Sequence, residues 1–230
     1  MNIENHIEST LADFDKIGVL DDILFIGAWA RYFYKNHFSS KTKYHPRLAT
    51  KDLDILLKEN LKKQSLILDL HQKLIEVGYE PEFYQSKMIK YYKNELELEF
   101  LVPTNGEKRV ISVKAFNVQA QELPYLGMLW SNPLKAKYGK YQVQVPDPLD
   151  YAIHKLIIAQ SRAKKESKLQ DIRDAEEVVA AFKIQGDLDQ EITNRLKEMK
   201  LNPKSKSKIN KSLQEFLDPQ LRDMILSKLS

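Results

Sequence analysis

No cysteine occurs anywhere in the 230 residues. That absence excludes a disulfide framework, a cysteine nucleophile, an iron–sulfur cluster and a thiolate zinc site. Glycine is scarce: seven residues, at positions 18, 27, 78, 106, 127, 139 and 186. No two are spaced as in G-x-G-x-x-G, and none precedes Lys-Ser or Lys-Thr as a P-loop requires. The histidines are His6, His37, His45, His71 and His154, and none forms His-Glu-x-x-His. No apolar run approaches the roughly 20 residues that cross a bilayer. The opening MNIENHIEST is polar and lacks the basic-then-apolar order of a signal peptide. The expectation is a cytoplasmic protein without a membrane partner. Carboxylates, with or without a hard metal ion, are the most direct chemistry left.

Positive charge is in slight excess, +4, and it is uneven. Positions 1–150 carry 20 basic and 20 acidic residues, whereas 151–230 carry 16 basic and 12 acidic. Five lysines and no acid fall within Lys200–Lys211 (KLNPKSKSKINK). Such a run reads either as a solvated linker or as a contact for a polyanion such as an RNA backbone.

Hydrophobic spacing divides the chain. Ile3, Ile7, Leu11, Phe14 and Ile17 recur every three or four residues and predict an amphipathic helix. Ile23–Ile26 reads as a short buried strand ending at Gly27, with a helix over 28–36 and a loop over 37–49. Asp52–Leu57 (DLDILL) is a second strand, and Leu61–Val77 a helix stopped by Gly78. Strands are expected over 82–85, 88–93, 95–102, 109–115 and 142–145. Thr104-Asn105-Gly106 suits a hairpin turn between the third and fourth of these. Beyond Pro146 and Pro148 the pattern turns helical, first over 151–163 and 169–182, then after Gly186 and Ser212. The expected architecture is an α+β domain over 1–146 and a helical domain over 147–230.

Asp52 and Asp54 are two apart on a predicted strand, so both project from one face, with Cα atoms about 6.6 Å apart. Leu53 and Ile55 point into the core. Glu95, Glu97 and Glu99 likewise share one face of a later strand, and Glu99 adjoins its most apolar stretch, Phe100-Leu101-Val102. Two aspartates and a third acid are the donor set that holds divalent ions for phosphoryl transfer. Glu95 and Glu97 are expected on a solvated face. Gly27 permits close approach of a phosphate, and the helix after it offers free N–H groups. Arg47 and Thr50 lie on the loop leading to Asp52. Trp29 and Tyr32, at helical spacing, read as core, and His154 as structural.

This order of elements resembles the nucleotidyltransferase superfamily that includes DNA polymerase beta, in which a Gly-Ser or Gly-Gly pair opens a helix, Asp-x-Asp follows, and another aspartate lies on a neighbouring strand. The counterparts are Gly27-Ala28, Asp52-x-Asp54 and Glu99. The phrases FIGAWA (25–30), RLATKDLDILL (47–57), LEFLVP (98–103), LPYL (123–126) and PDPLDYAIHKLIIAQSR (146–162) are most similar to a bacterial group related to the AbiEii-type toxins. KLQDIRDAEEVV (168–179) matches more loosely. The resemblance implies a nucleotidyltransferase-fold mixed sheet flanked by helices, with a helical C-terminal domain. It implies Mg2+ or Mn2+ held by Asp52, Asp54 and Glu99, and a nucleoside triphosphate bound by Gly27, Ala28, Arg47, Thr50, Lys155 and Arg162. The nucleotide would pass to an RNA, protein or small-molecule hydroxyl. Two departures stand out: Ala28 replaces a hydroxyl or a glycine, and Glu99 replaces aspartate. They leave open a decayed nucleotide- or RNA-binding protein, or a toxin–antitoxin component. For Arg162, an ion pair with Asp171 or Asp174 competes with phosphate contact.

Overall fold

The computed structural model describes residues 3–38, 44, 46, 50–63, 65–185 and 187–229. The chain divides into two units, one formed by Met1–Phe33 with Pro46–Pro146, the other by Tyr34–His45 with Asp147–Ser230. Among the described residues no helix is long and apolar enough to cross a membrane.

The first unit begins with helix α1 (Ile3–Ile17), which buries Ile7, Leu11 and Phe14 along one stripe. Strand β1 (Ile23–Phe25) and helix α2 (Gly27–Phe33) follow; the 3₁₀ turn over Tyr34–Asn36 already belongs to the second unit. Trp29 and Tyr32 are buried, as expected of core residues. Strand β2 (Asp52–Leu57) matches the DLDILL pattern, and its apolar residues Leu53, Ile55, Leu56 and Leu57 are buried.

The helix expected over 61–77 is shorter. Glu59–Lys63 is a 3₁₀ turn and helix α3 spans only Leu70–Glu76. The N–H groups of Ile67 and Leu68 donate to the Ala115 carbonyl instead of to a helix. The Asp69 side chain then caps α3 by accepting from Gln72 N at 3.0 Å. Leu66, counted on the helical face, is exposed.

Strands β3 (Glu80–Phe83), β4 (Ile89–Lys93), β5 (Leu96–Thr104), β6 (Val110–Val113) and β7 (Val118–Pro124) complete a seven-stranded mixed sheet. β2 pairs antiparallel with β1 and parallel with β5. One edge of β5 takes β2; the other takes antiparallel β4 along its first residues and parallel β7 along its last. The hairpin expected between β5 and β6 is absent. β6 pairs instead with β7, a strand the sequence pattern did not reveal, and β7 takes the edge of β5 at Leu101–Thr104 where the hairpin partner would have lain. Strands β8 (Leu134–Tyr138) and β9 (Tyr141–Val145) form a separate two-stranded ribbon.

In the second unit, helix α4 (Pro148–Ala159) starts three residues earlier than its apolar pattern suggests. Asp147 accepts from Leu149 N and Asp150 N, and Pro148 sits in the first turn. α4 is apolar nearly all round and accordingly buried. Helices α5 (Lys165–Gln185), α6 (Leu188–Glu198), α7 (Pro203–Leu213) and α8 (Pro219–Lys228) follow. The lysine-rich run is therefore helix and not linker: Asn202 caps α7 through Ser205 N, and Ser205, Ile209, Ser212 and Leu213 are buried. Ser212 Oγ donates to the Leu156 carbonyl and accepts from Gln160 Nε2, fastening α7 to α4.

Candidate active site

The parallel register of β2 and β5 sets Asp52 opposite Glu97 and Asp54 opposite Glu99. Paired residues on neighbouring strands share a face, so four carboxylates stand in a two-by-two array, with strands about 4.8 Å apart. Further along the same face the alternation reaches Leu56 and Leu101. Both are buried with Leu24, Ile26, Leu126 and Leu129, beneath a 3₁₀ turn over Leu126–Trp130. The face is thus acidic at the start of the two strands and sealed by hydrocarbon at their ends. Asp54 and Glu99 lie at the boundary, and Glu99 keeps only 18% of its side chain exposed.

Gly27 closes one side. Ile26 N donates to the Asp54 carbonyl at 3.2 Å, holding the end of β1 against β2. Gly27 then takes φ +61, and a Cβ built on it would lie 2.8 Å from Asp54 Oδ2. Both facts require glycine. Thr50 orients the other aspartate: its hydroxyl donates to Asp52 Oδ2 and accepts from Asp52 N, each at 3.0 Å. Arg47 lies outside the described residues. Ala28 is half-buried in the first turn of α2.

Lys90 closes the opposite side. Its ammonium pairs with Glu97 and lies 3.3 Å from Glu99 Oε2. Tyr92 Oη donates to Glu97 Oε2 at 2.8 Å. Burial draws the Lys90 pKa down, but the hydrogen bond and charge of Glu97, with Glu99, outweigh it and push it up to about 12. Burial raises the Glu97 carboxyl, and the bonds from Lys90 and Tyr92 more than reverse that, leaving it below the usual glutamate value. Glu97 is therefore a held ion, not a solvated one. Glu95 is off the array altogether, in the turn before β5, where it meets Lys51 at the surface.

Lys155 and Arg162 belong to the second unit, and both bind one carboxylate. Lys155 Nζ donates to Asp171 Oδ1 at 2.6 Å and lies 3.3 Å from Asp174 Oδ2; Arg162 Nε donates to Asp171 Oδ2 at 2.6 Å. Lys155, Asp171 and Asp174 are buried, while the Arg162 side chain is 44% exposed. Burial lowers the Lys155 pKa, but the charges of Tyr151 and Asp171 outweigh it and hold it above the ordinary lysine value. Burial, then the charge of Lys155, pulls His154 down to about 3, so its buried ring is neutral at physiological pH.

A family model described as "Nucleotidyltransferase" matches residues 5–197. The chain belongs to that nucleotidyltransferase family. The chain is also similar in structure to an antigenic nucleotidyltransferase-like protein from Paracoccidioides brasiliensis. The identity is 13% and the TM-score 0.51, over 96% of this chain and 91% of that one. At that identity the likeness shows the fold alone. No curated protein matches the chain.

The oxygen-only donor set on this face suits a hard divalent ion such as Mg2+. Gly27 leaves open the space beside Asp54 Oδ2 that a Cβ would fill. Asp52, Asp54 and Glu99 are the residues that would hold the ion. Among the described residues no three acidic or histidine side chains converge as a ready-made metal cluster. The reason is on the sheet: Thr50 holds Asp52, and Lys90 draws Glu99 toward β4. Lys90 is the site residue that the sequence pattern missed. The signal lies in Asn94 and Glu95, which have φ +48 and +69, the two positive values of a two-residue I′-type turn. That turn sets Lys93 against Leu96 and Tyr92 against Glu97. Two residues further along β4, on the same face as Tyr92, Lys90 falls beside Glu99.

Proposed function

We propose that the chain is a metal-dependent nucleotidyltransferase of the bacterial branch related to the AbiEii-type toxins. The observation that carries this reading is the opposed Asp54–Glu99 pair, with Asp52 on the same face and Gly27 packed against Asp54. The substrate is a nucleoside triphosphate. An acceptor hydroxyl oxygen forms a bond to the α-phosphorus, the bond from that phosphorus to the β-bridging oxygen breaks, and pyrophosphate leaves. Bound Mg2+ or Mn2+ would supply positive charge to the phosphate oxygens. Glu99 takes the acceptor proton. Asp52, steadied by Thr50, and Asp54, for which Gly27 leaves room, fix the geometry of the reacting groups. The backbone at Gly27 and Ala28 meets the phosphate tail without a side-chain hydroxyl.

The test is transfer of label from each of four α-labelled triphosphates, with Mg2+ or Mn2+, to RNA, protein and small-molecule acceptors. Asp52→Asn with Asp54→Asn is expected to reduce transfer by about a thousandfold or more, the loss of several kcal/mol of charge stabilisation. The melting temperature is expected to stay nearly unchanged. Absence of transfer with every acceptor overturns the reading. A second reading, a nucleotide binder that has lost turnover, is favoured by Ala28 and by the Lys90–Glu99 pair. Metal-dependent triphosphate binding without transfer would select it.

A further inference from the structure

Helices α6, α7 and α8 enclose a cleft of about 290 Å³. Its floor is apolar, made of Leu196, Leu201 and Leu229, and four lysines line it: Lys197, Lys200, Lys206 and Lys228. Lys228 is neutralised by Asp189 at 2.9 Å. Among the described residues the other three have no carboxylate partner. The nearest acid on α6, Glu198, is turned to Arg195 at 3.2 Å. Lys200 lines the cleft from a left-handed position, φ +46, where glycine is the usual residue.

Helix α7 carries further lysines on a second face: at about 100° per residue, Lys204, Lys208 and Lys211 cluster about 140–200° round the helix from Lys206. Lys204 and Lys211 are exposed and Lys208 donates to Ser161 Oγ, and the helix carries no acid. Lys204 and Lys208 are like charges four residues apart, which weakens a helix. Lys204 also sits in the first turn, where the helix dipole disfavours a cation. These choices oppose helix stability and are relieved by a bound polyanion. The row from Lys204 to Lys211 rises about 10 Å along α7, more than one phosphate group spans.

We propose that this cleft binds single-stranded nucleic acid, one base and sugar resting on the leucine floor with flanking phosphates on Lys197, Lys200 and Lys206. The small apolar floor favours a nucleotide unit over an acidic peptide, whose carboxylates have no use for it. Most of the cleft's lysines, and all of α7 and α8, lie beyond the residues that the family model matches. The binding is separate from nucleotidyl transfer and needs no triphosphate or metal.

The test is fluorescence anisotropy of the full chain with a labelled oligouridylate of about 20 nucleotides, in 50 and 200 mM salt without triphosphate. Binding is expected to weaken steeply with salt. The variant Lys197→Gln/Lys200→Gln/Lys206→Gln is expected to bind at least tenfold more weakly. Its salt slope should be shallower by about 2, for three lost single-strand phosphate contacts. The equal-charge control Lys16→Gln/Lys108→Gln/Lys114→Gln, all exposed in the first unit, should change affinity less than threefold. Circular dichroism checks that both variants fold. No binding, or equal losses in the two variants, overturns the proposal. So does displacement of the oligonucleotide by polyglutamate of equal charge, or by uridine monophosphate at equal phosphate concentration.

Discussion

Lys155→Met is expected to lower the stability of the second unit by about 3 kcal/mol, because it strands buried carboxylates. Asp174 would lose its ammonium partner and Asp171 would keep only Arg162. For a chain of this length that corresponds to a fall in melting temperature of about 6–12 °C. Adding Asp174→Asn should recover part of the loss, as coupled neighbours do. Arg162→Gln should cost much less, since Arg162 is half in water and Lys155 remains on Asp171. Calorimetry of the four proteins measures the effect. An unchanged melting temperature with a raised KM for triphosphate would make Lys155 a phosphate contact and not a buried strut. The pH dependence has a definite sign. Burial raises the Asp171 carboxyl, but the charge of Lys155 and the hydrogen bonds from Arg162 and Lys155 overcome it, leaving it below 3.8. Its contribution is therefore fully present above 3.8 and is lost as the pH falls through the lowered value.

Gly27→Ala is expected to have the largest effect on the first unit for a single added methyl. The left-handed backbone costs alanine about 1–2 kcal/mol. The new Cβ would also stand 2.8 Å from Asp54 Oδ2, so the carboxylate must move. A displacement near 1 Å at a reacting centre costs about a hundredfold in rate. Gly18→Ala separates the two causes. Gly18 has φ +80 with nothing within 4 Å of an added Cβ, so it carries the backbone cost without the collision. Gly18→Ala should lose similar stability and keep its transfer rate. Equal rate losses in both variants would remove Gly27 from the site. Transfer assays beside thermal melts distinguish the outcomes.

What could be read from the residues depended on how local the determining interaction is. Asp52-x-Asp54 and β2 were legible because alternation along one strand sets both aspartates on one face. Glu99 was legible through its neighbours Phe100 and Leu101, which mark where β5 enters the core. α1 was legible from its three-and-four spacing. The start of α3 was not, because the Leu61–Val77 apolar spacing suits a helix and only the distant Ala115 carbonyl diverts Ile67 and Leu68. β7 was hidden for a different reason: its hairpin with β6 is local, closed by Val113 and Val118, but its outward residues are glutamines and its place in the sheet is set by the more distant β5. The lysine run misled through composition, since α7 is held by Ile209, Ser212 and Leu213, which are few among many charges. Lys155 and Arg162 were seen to share a helix face, but their common hold on Asp171 is a tertiary fact.

The two-residue turn at Asn94-Glu95 acts as a gauge for the charge on the acidic face. Because β4 returns from β5 after a loop of fixed length, every second residue of β4 is presented to the carboxylates, and Lys90 is the basic one among them. Exchange of either turn residue leaves that count intact. Gain or loss of a single residue would turn β4 over and carry Tyr91 out of the core; a gain would stand Tyr91 opposite Glu99 in place of Lys90, and set Lys93 in place of Tyr92 opposite Glu97. Loop length, rather than any residue at the site, thus decides which carboxylate of the acidic face meets the cation, Glu99 through Lys90 or Glu97 through Lys93.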